Sequence, residues 1–579
     1  MKFSFVSHIF SEIEQRTARN EIIIVLADLM RQATPHECEL LAYLVLGTLR
    51  APYKKTQFNM AEKLATKVVA DLLETTPADI SAAVRKTGDL GTVLLVGGWS
   101  QTGNPTLSNV YESLSVLESI SGAGSQDERH VALLTLLRAI DPVSAQYVVR
   151  IVLGKLRLGF SDMTLIDALS YMVAGNKSLK KEIEHAYTLC ADIGKIAHTV
   201  RADGAEGLRS IDITVGIPIR PAAAERLQSS ASIVEKLGAC VAQPKLDGFR
   251  LQVHCKPTAS GTEVTFFSRN LLDMTAQFPE LSVAFKRECK KACIIEGEAI
   301  VYDEETDSFL PFQETVKRKR KHGIAEAAQE LPLRIFLFDL LYYDHESYLN
   351  KPHYVRRAQL EKLFPRHTHH DTISVIDEKK INTAAELEEY FLEVVAAGLE
   401  GLIIKRPDAL YQAGKRNFNW IKLKRHAAHT LEDTIDAVIL GYYHGSGKRA
   451  SFGIGAFLVG IYNAREDRFE TVAKVGTGLT DSEWKDLKKR CDRDAVAEKP
   501  HNVICSEQLA PDVWVYPTTV CTVQAEEITR SPNHSAGLAL RFPRLQIFRE
   551  DKSPTEATSN SELRHLFSQQ REHLAREDV

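Results

Sequence analysis

The chain has no run of about 18 apolar residues, the least that would cross a bilayer as a helix. Its opening stretch, MKFSFVSHIFSEIEQRTARNE, carries a short apolar patch that meets Glu12 and Glu14 before it reaches the pattern of a signal peptide. A cytoplasmic chain without a membrane partner, nucleoid-associated in a prokaryote, is the expectation. Cysteine is sparse and odd in number, nine in 579 residues. Only Cys289 and Cys293 are closely spaced, and no second pair at zinc-finger spacing follows them. Reduced, packed thiols are therefore expected rather than a metal site or a disulfide framework. An excess of charge is missing as well: 72 basic against 76 acidic residues leave −4, which neither requires nor excludes a polyanionic partner. Nucleic-acid binding would need basic residues gathered on one face.

A chain of 579 residues exceeds what one hydrophobic core organises, so two to four domains are expected. With 44% hydrophobic and 26% charged residues it is an ordinary globular chain rather than a disordered one. Residues 1–215 carry apolar positions at three- and four-residue spacing, as in NEIIIVLADLMRQA, NMAEKLATKVVADLLETT and HVALLTLLRAI, and predict an all-α domain. Two prolines in GIPIRPAAAERL, 216–227, break that pattern. Residues 216–427 then alternate β-rich runs (FRLQVHC, EVTFFSR, ACIIEGEAIVYD, RIFLFDLLYYD) with helical ones, an α/β (α+β) block. Residues 428–579 give short strands with glycine turns, as in a small β-barrel, and end in a polar tail. Three basic clusters stand out: GKLRLG with Lys155 and Arg157, KRKRKH with Lys317, Arg318, Lys319 and Arg320, and GKRNFNWIKLKRH. Each alone suits a solvated loop; together they are candidate nucleic-acid contacts.

The α/β block concentrates the chemistry. Lys245 ends an apolar run, VAQPK, and the turn LDG follows at once. Lysine attacks only as the neutral amine, which calls for desolvation or neighbouring cations. In WIKLK, Lys422 and Lys424 share one face by the two-residue period of a strand, and such a face needs an anion such as phosphate. Glu298 in IIEGEAIVYD and Glu400 in AGLEGLIIKRP project from strand-like runs, as suits Mg²⁺, which usually takes one or two protein carboxylates plus phosphate oxygens.

KLDGFR fits the K-x-D-G-x-R element of the covalent nucleotidyltransferases, and the order of elements after it resembles the ATP-dependent DNA ligases. SRN (268–270), EGEAIVYD (296–303), FLFDLLYYD (336–344), EGLIIKRP (400–407), WIKLK (420–424) and RFPRLQIFREDK (541–552) follow in the family order. RNEIIIVLADLM, VVRIVLGKLRLGFSDMTLIDALS and GIPIRP are similar to the N-terminal domain of the archaeal and eukaryotic replicative-type members. The resemblance covers the chain to about residue 552. It implies a helical DNA-binding domain (1–215), an adenylylation domain (216–427) and an OB-fold domain (428–579), acting as a monomer on nicked duplex DNA in replication, repair and recombination.

The resemblance also implies roles. Lys245 would carry AMP taken from ATP, Arg250 and Arg269 would hold ribose and phosphates, and Phe338 would stack on adenine. Glu298 and Glu400 would position the sugar and Mg²⁺, for which Mn²⁺ could substitute. Lys422 and Lys424 would neutralise the α-phosphate. Arg549, Asp551 and Lys552 would close over the pyrophosphate and then withdraw. One departure concerns Gln243, which stands where many members have glutamate; an amide accepts from an adenine amino group but can also donate. Glu296 reads as a supporting residue rather than a ligand. Sliding-clamp docking stays open, since QFNMAEKL lacks the terminal aromatic pair of a clamp-binding peptide. A capping-type guanylyltransferase would lack the helical domain, and a non-enzymatic DNA clamp would be expected to have lost the lysine or the R-x-D-K element.

Overall fold

The computed structural model describes every residue except 17, 123, 157, 159, 228, 304–307, 310–314, 316, 317, 319–323, 325–327, 329, 366–371, 398, 415, 425–433, 446–448, 450, 451 and 577–579. The chain divides into two compact units, Met1–Lys424 and Arg425–Val579.

The first unit begins with the expected helices, from Phe3–Glu14 to Ile193–Leu208. Their starts follow from local chemistry. Thr34, Thr76 and Asp141 each accept from a backbone N–H of the first turn and are each followed by proline, whose fixed φ suits that position. Apolar stripes then meet in one core: Ile22, Ile23, Leu26, Leu29 and Met30 of Arg19–Gln32 lie in it with Val68 and Val69 of Glu62–Leu72 and Leu133 and Leu137 of Ser125–Arg138. Pro142–Val152 ends where Gly154 adopts φ +63°, a conformation glycine enters without steric cost.

Two sheets make up residues 223–424. One has the order Ala223–Arg226, Arg416–Lys424, Gly401–Lys405, Cys240–Lys245, Lys379–Ile381. One face of it carries Ala242, Leu402, Ile404, Ile421 and Leu423, which pack with Ile233, Leu387 and Tyr390 from the helices Ser230–Leu237 and Ala384–Ala396. The alternate residues point the other way, so apolar and polar positions separate by the period of two. The second sheet runs Gly261–Ser268, Phe249–Thr258, Cys293–Asp303, Leu333–Tyr343, with shorter strands beyond. Its Leu251, Val253, Ile295, Leu337 and Leu340 pack with Leu281 and Phe285 of Pro279–Glu288 and Leu360 of His353–Leu363. Its opposite face supplies Ile300 and Phe338, which pack with Leu246 and Ile376.

A buried ion pair locks this block. Arg356 donates from Nε and Nη2 to the two oxygens of Asp339, at 2.7 and 3.1 Å, and from Nη1 to the carbonyls of Lys351 and Ala409. Burial would raise the Asp339 carboxyl, but the Arg356 and Lys405 cations outweigh it and hold it well below the usual carboxylate range.

In the second unit, Ile435–Tyr443 pairs with Ala456–Asn463, Val513–Val515 and Val520–Gln524. One strand shared among three partners curls the sheet into the expected OB-like form. Trp484 and Leu487 of the helix Asp481–Arg493 fill its core beside Phe457, Val459 and Val472. No described helix is long and apolar enough to cross a membrane.

Arg356→Ala would strand Asp339 as a buried charge, and loss of one partner of such a pair costs about 3–5 kcal/mol. Thermal unfolding should show a clearly lowered midpoint for Met1–Lys424, with the second unit unaffected when each is followed by its own probe.

Candidate active site

A cavity of about 510 Å³ is lined from both sheets of the first unit, by Gln243, Lys245, Arg250, Arg269, Glu298, Phe338, Glu400, Lys405, Trp420, Lys422 and Lys424 among others. Strand register explains the convergence. Gly401 stands opposite Lys245 on one neighbouring strand and opposite Lys424 on the other. Ile403 stands between Gln243 and Lys422, and Lys405 between Val241 and Trp420. Three parallel rows therefore share one face of the five-stranded sheet, and Lys245, Lys424, Gln243, Ile403, Lys422, Lys405 and Trp420 from them line the cavity.

Glu400 closes the first row. One of its carboxylate oxygens contacts the Lys245 ammonium and the other the Lys424 ammonium. Burial would raise this carboxyl, but the two ammonium groups bring it below its ordinary value. Its N–H donates to the Lys245 carbonyl at 3.3 Å, so backbone and side chain both bind it to the lysine.

The turn after Lys245 passes close over the strand Cys293–Asp303. A Cβ on Gly248 would lie 2.3 Å from the carbonyl oxygen of Ala299, so glycine alone fits there. On the same strand Glu298 sits in the cavity wall, and burial pushes its carboxyl up to about 7 even though Lys245, Arg250 and the Gly248 N–H favour the charge.

The Arg250 guanidinium is largely committed. Nη2 donates to both oxygens of Glu296, at 2.9 and 3.1 Å, and Nη1 to the Ala222 carbonyl at 2.8 Å. Tyr411 also donates to Glu296, at 2.8 Å, which makes that carboxylate a support for Arg250. The Nε of Arg250 is buried and has no partner among the described residues. The cation lies 5.4 Å from the centre of the Phe338 ring and 5.6 Å from that of Trp420. Trp420 meets Phe338 edge-on at 6.1 Å, bracing the ring.

Gln243 donates from Nε2 to Glu378 at 2.7 Å, and Glu378 also meets His353 Nε2 at 2.8 Å. Burial works against the Glu378 charge, but the His353 hydrogen bond and the Arg357 and Lys405 cations hold it well below the usual carboxylate range. An ionised carboxylate can only accept, so Glu378 fixes the amide with its nitrogen toward it; one N–H is committed there, and the carbonyl is directed away from Glu378.

Several participants escaped the sequence reading. Lys405 is buried, donates to the Phe338 carbonyl at 2.9 Å and lies 4.4 Å from the centre of the Trp420 ring; burial pulls it down to about 8. In the second unit Asp436 gathers the R-x-D-K element: Lys552 donates to it at 2.6 Å and Arg549 at 3.2 Å, while Arg549 also donates to Asp551 at 2.6 Å. The strand pattern of IIKRP and DAVIL hid both residues, because a lone charge in an apolar strand carries no local signal of its partner.

The basic clusters fare differently. Arg318 is fully buried and donates to Glu280, so it is a packing residue of the helix Pro279–Glu288 and not an exposed DNA contact as expected. Lys155 is exposed but meets Glu62 at 2.7 Å. Arg157, Lys317, Lys319 and Arg320 lie outside the described residues. Arg269 stands exposed at the rim of the cavity.

Comparison with known proteins identifies the family. Residues 221–424 match the ATP dependent DNA ligase domain, residues 2–170 the DNA ligase N terminus, and residues 450–552 the ATP dependent DNA ligase C terminal region. The chain is 42% identical to a probable DNA ligase of Dictyoglomus thermophilum, over 100% of this chain and 99% of the relative. It is 36% identical to a DNA ligase of Sulfolobus acidocaldarius, over 98% of each. The solved structure named Pmar-Lig_PreS3 shares the fold, with a TM-score of 0.57 at 16% identity over 94% of this chain and 99% of that one. With family models along most of the sequence and relatives matched end to end, the chain belongs to the ATP-dependent DNA ligases, the enzymes that seal DNA nicks through an adenylate intermediate.

Proposed function

We propose that this chain seals 5′-phosphate/3′-hydroxyl nicks by three nucleotidyl transfers in which Lys245 is the covalent carrier. The observation that carries the assignment is the row Lys245–Glu400–Lys424 in the wall of a nucleotide-sized cavity. In the first transfer the neutral Lys245 amine attacks the α-phosphate of ATP, a P–N bond forms, and the bond to the bridging oxygen breaks to release pyrophosphate. The second passes AMP to the 5′-phosphate of the nick and frees the lysine. In the third the 3′-hydroxyl attacks that phosphate and AMP leaves. Each step is chiefly positioning and charge neutralisation.

The residues divide these tasks. Phe338, braced by Trp420, offers a face for adenine, and the fixed Gln243 carbonyl accepts from its amino group. That arrangement keeps ATP preferred over GTP, whose ring carries a carbonyl at the same place. Arg250 donates through Nε, and Arg269 reaches phosphate from the rim. Lys422 and Lys424 neutralise the α-phosphate as charge builds there. Arg549 and Lys552, oriented by Asp436, serve the pyrophosphate. Glu298 and Glu400 fit Mg²⁺, being carboxylates that enter one cavity where phosphate oxygens would complete the shell. Bound there, the ion would draw charge from the phosphate oxygens and compete with the Lys245 ammonium for Glu400. DNA would be held by its backbone, with the helical domain 1–215, the adenylylation domain 216–427 and the OB-fold domain 428–579 all contributing. A monomer in the cytoplasm or nucleoid suits that task.

The decisive experiment labels the purified protein with α-³²P ATP or GTP in Mg²⁺ and then chases with nicked DNA. ATP label should survive denaturation, vanish in Lys245→Ala and pass into sealed product; label from GTP alone would overturn both the ATP assignment and the role of Gln243. Gly248→Ala should displace the loop after Lys245, and a misplacement on the order of 1 Å costs roughly 10²-fold in rate. Rapid-quench measurement of self-adenylylation, with an unchanged circular dichroism spectrum, checks it. Because the Glu298 carboxyl titrates near about 7, protons compete with the cation below that pH. The apparent affinity for Mg²⁺ in self-adenylylation should fall by about tenfold per pH unit below that point and level off above it. Mg²⁺ titrations across the range read this directly.

A further inference from the structure

Three of the nine cysteines converge outside the lining of the nucleotide cavity. Cys255 on Phe249–Thr258 stands directly opposite Cys293 on Cys293–Asp303, as Cα partners of neighbouring antiparallel strands. Cys289 caps the end of the helix Pro279–Glu288, and the three residues Lys290, Lys291 and Ala292 bring the chain back to Cys293. All three sulfur atoms lie within 4.8 Å of one another, and the Cys289 and Cys293 sulfurs are 3.8 Å apart. The three thiols are buried, and none is in a disulfide. No other group of three or more potential ligands among the described residues comes together in this way.

The spacing is what a thiolate-bound ion requires. Metal–sulfur bonds of about 2.3 Å put two sulfurs roughly 3.8 Å apart at a tetrahedral angle and roughly 4.0 Å apart at a trigonal one. The donor set is sulfur alone: no histidine or carboxylate joins it among the described residues. That excludes hard cations such as Mg²⁺ and selects soft d¹⁰ ions, Cu⁺ and Zn²⁺. Lys290, exposed on the connecting turn, offsets part of the negative charge that a set of thiolates would bring, while Lys291 beside it is paired with Asp344.

We propose that Cys255, Cys289 and Cys293 form a three-sulfur site for one thiophilic d¹⁰ cation, which would staple the end of the helix Pro279–Glu288 to two interior strands of the second sheet. Each ligating thiol gives its proton to solvent as the metal–sulfur bond forms, and no oxidant is needed. Cu⁺ is satisfied by three sulfurs; Zn²⁺ would need water as a fourth ligand. The site stands apart from the nucleotide cavity, none of whose lining residues belongs to it. The ion would therefore be structural and distinct from any Mg²⁺ used in adenylyl transfer.

The test uses the full chain, prepared reduced and stripped with a chelator. It is titrated with Cu⁺ and with Zn²⁺, each against a competing chromophoric chelator, beside C255S, C289S, C293S and C505S. Cys505 is half-buried and belongs to the second unit, so C505S is the control. The expected result is one equivalent retained by the unaltered chain and by C505S. Each trio variant should bind more than about tenfold more weakly, since even a lost supporting partner costs that much at metal sites. X-ray absorption of the loaded protein should show sulfur neighbours at about 2.3 Å, three for Cu⁺ and three plus one oxygen for Zn²⁺. No retained ion, retention undiminished in all three variants, or a Cys289–Cys293 disulfide in freshly isolated protein would overturn the proposal. Should a serine variant fail to fold, alkylation of the unaltered chain decides: the bound ion must slow modification of these three cysteines and leave Cys505 unchanged.

Discussion

The candidate active site depends on one carboxylate held between two ammonium groups. Glu400 touches Lys245 with one oxygen and Lys424 with the other, and nothing in the three local sequences requires them to meet. The meeting is made by register: Gly401 lies opposite both lysines, and Glu400 precedes it at the strand's start. Gly401 adopts φ +140°, a backbone conformation that favours glycine. Two lysines on one sheet face would repel each other across the cavity, and the carboxylate between them makes the face tolerable before any phosphate arrives.

Around that row the protein spends buried charge to hold position. Arg356 and Asp339 fix the back of the strand that carries Phe338, and Lys405 hydrogen-bonds to the Phe338 carbonyl from the neighbouring sheet. Glu296 and Tyr411 hold Arg250, and Glu378 with His353 holds Gln243. Gln243, Arg250 and Phe338, which line the cavity, are thus oriented by neighbours of which only Lys405 lines it as well. A site that works by placement rather than by strong covalent chemistry needs this second layer, since small displacements cost large factors in rate. The same arrangement recurs in the second unit, where Asp436 orients Arg549 and Lys552.

The departure at position 243 illustrates how context decides what a side chain offers. Taken alone, an amide is ambiguous between accepting and donating. The ionised Glu378 orients the amide by taking one of its two N–H donors, which directs the carbonyl, the kind of atom a glutamate would present, away from Glu378.

Much of this was legible in the linear chain. Helical periodicity marked the N-terminal domain, alternation marked the strands, and the ordered elements from KLDGFR to WIKLK named many of the residues that line the cavity. These are local patterns, set by side-chain period and turn chemistry, and they survive in one dimension. What the sequence could not decide was pairing across distance. Arg318 looked like one more cation in a basic loop until its burial and its partner Glu280 appeared. Lys405 and Asp436 looked like isolated charges in apolar strands, and Cys255 stood 34 positions before Cys289 with no visible link to it. Charge and thiol chemistry act over a few ångströms of space, and only strand register and helix packing determine which residues share those few ångströms.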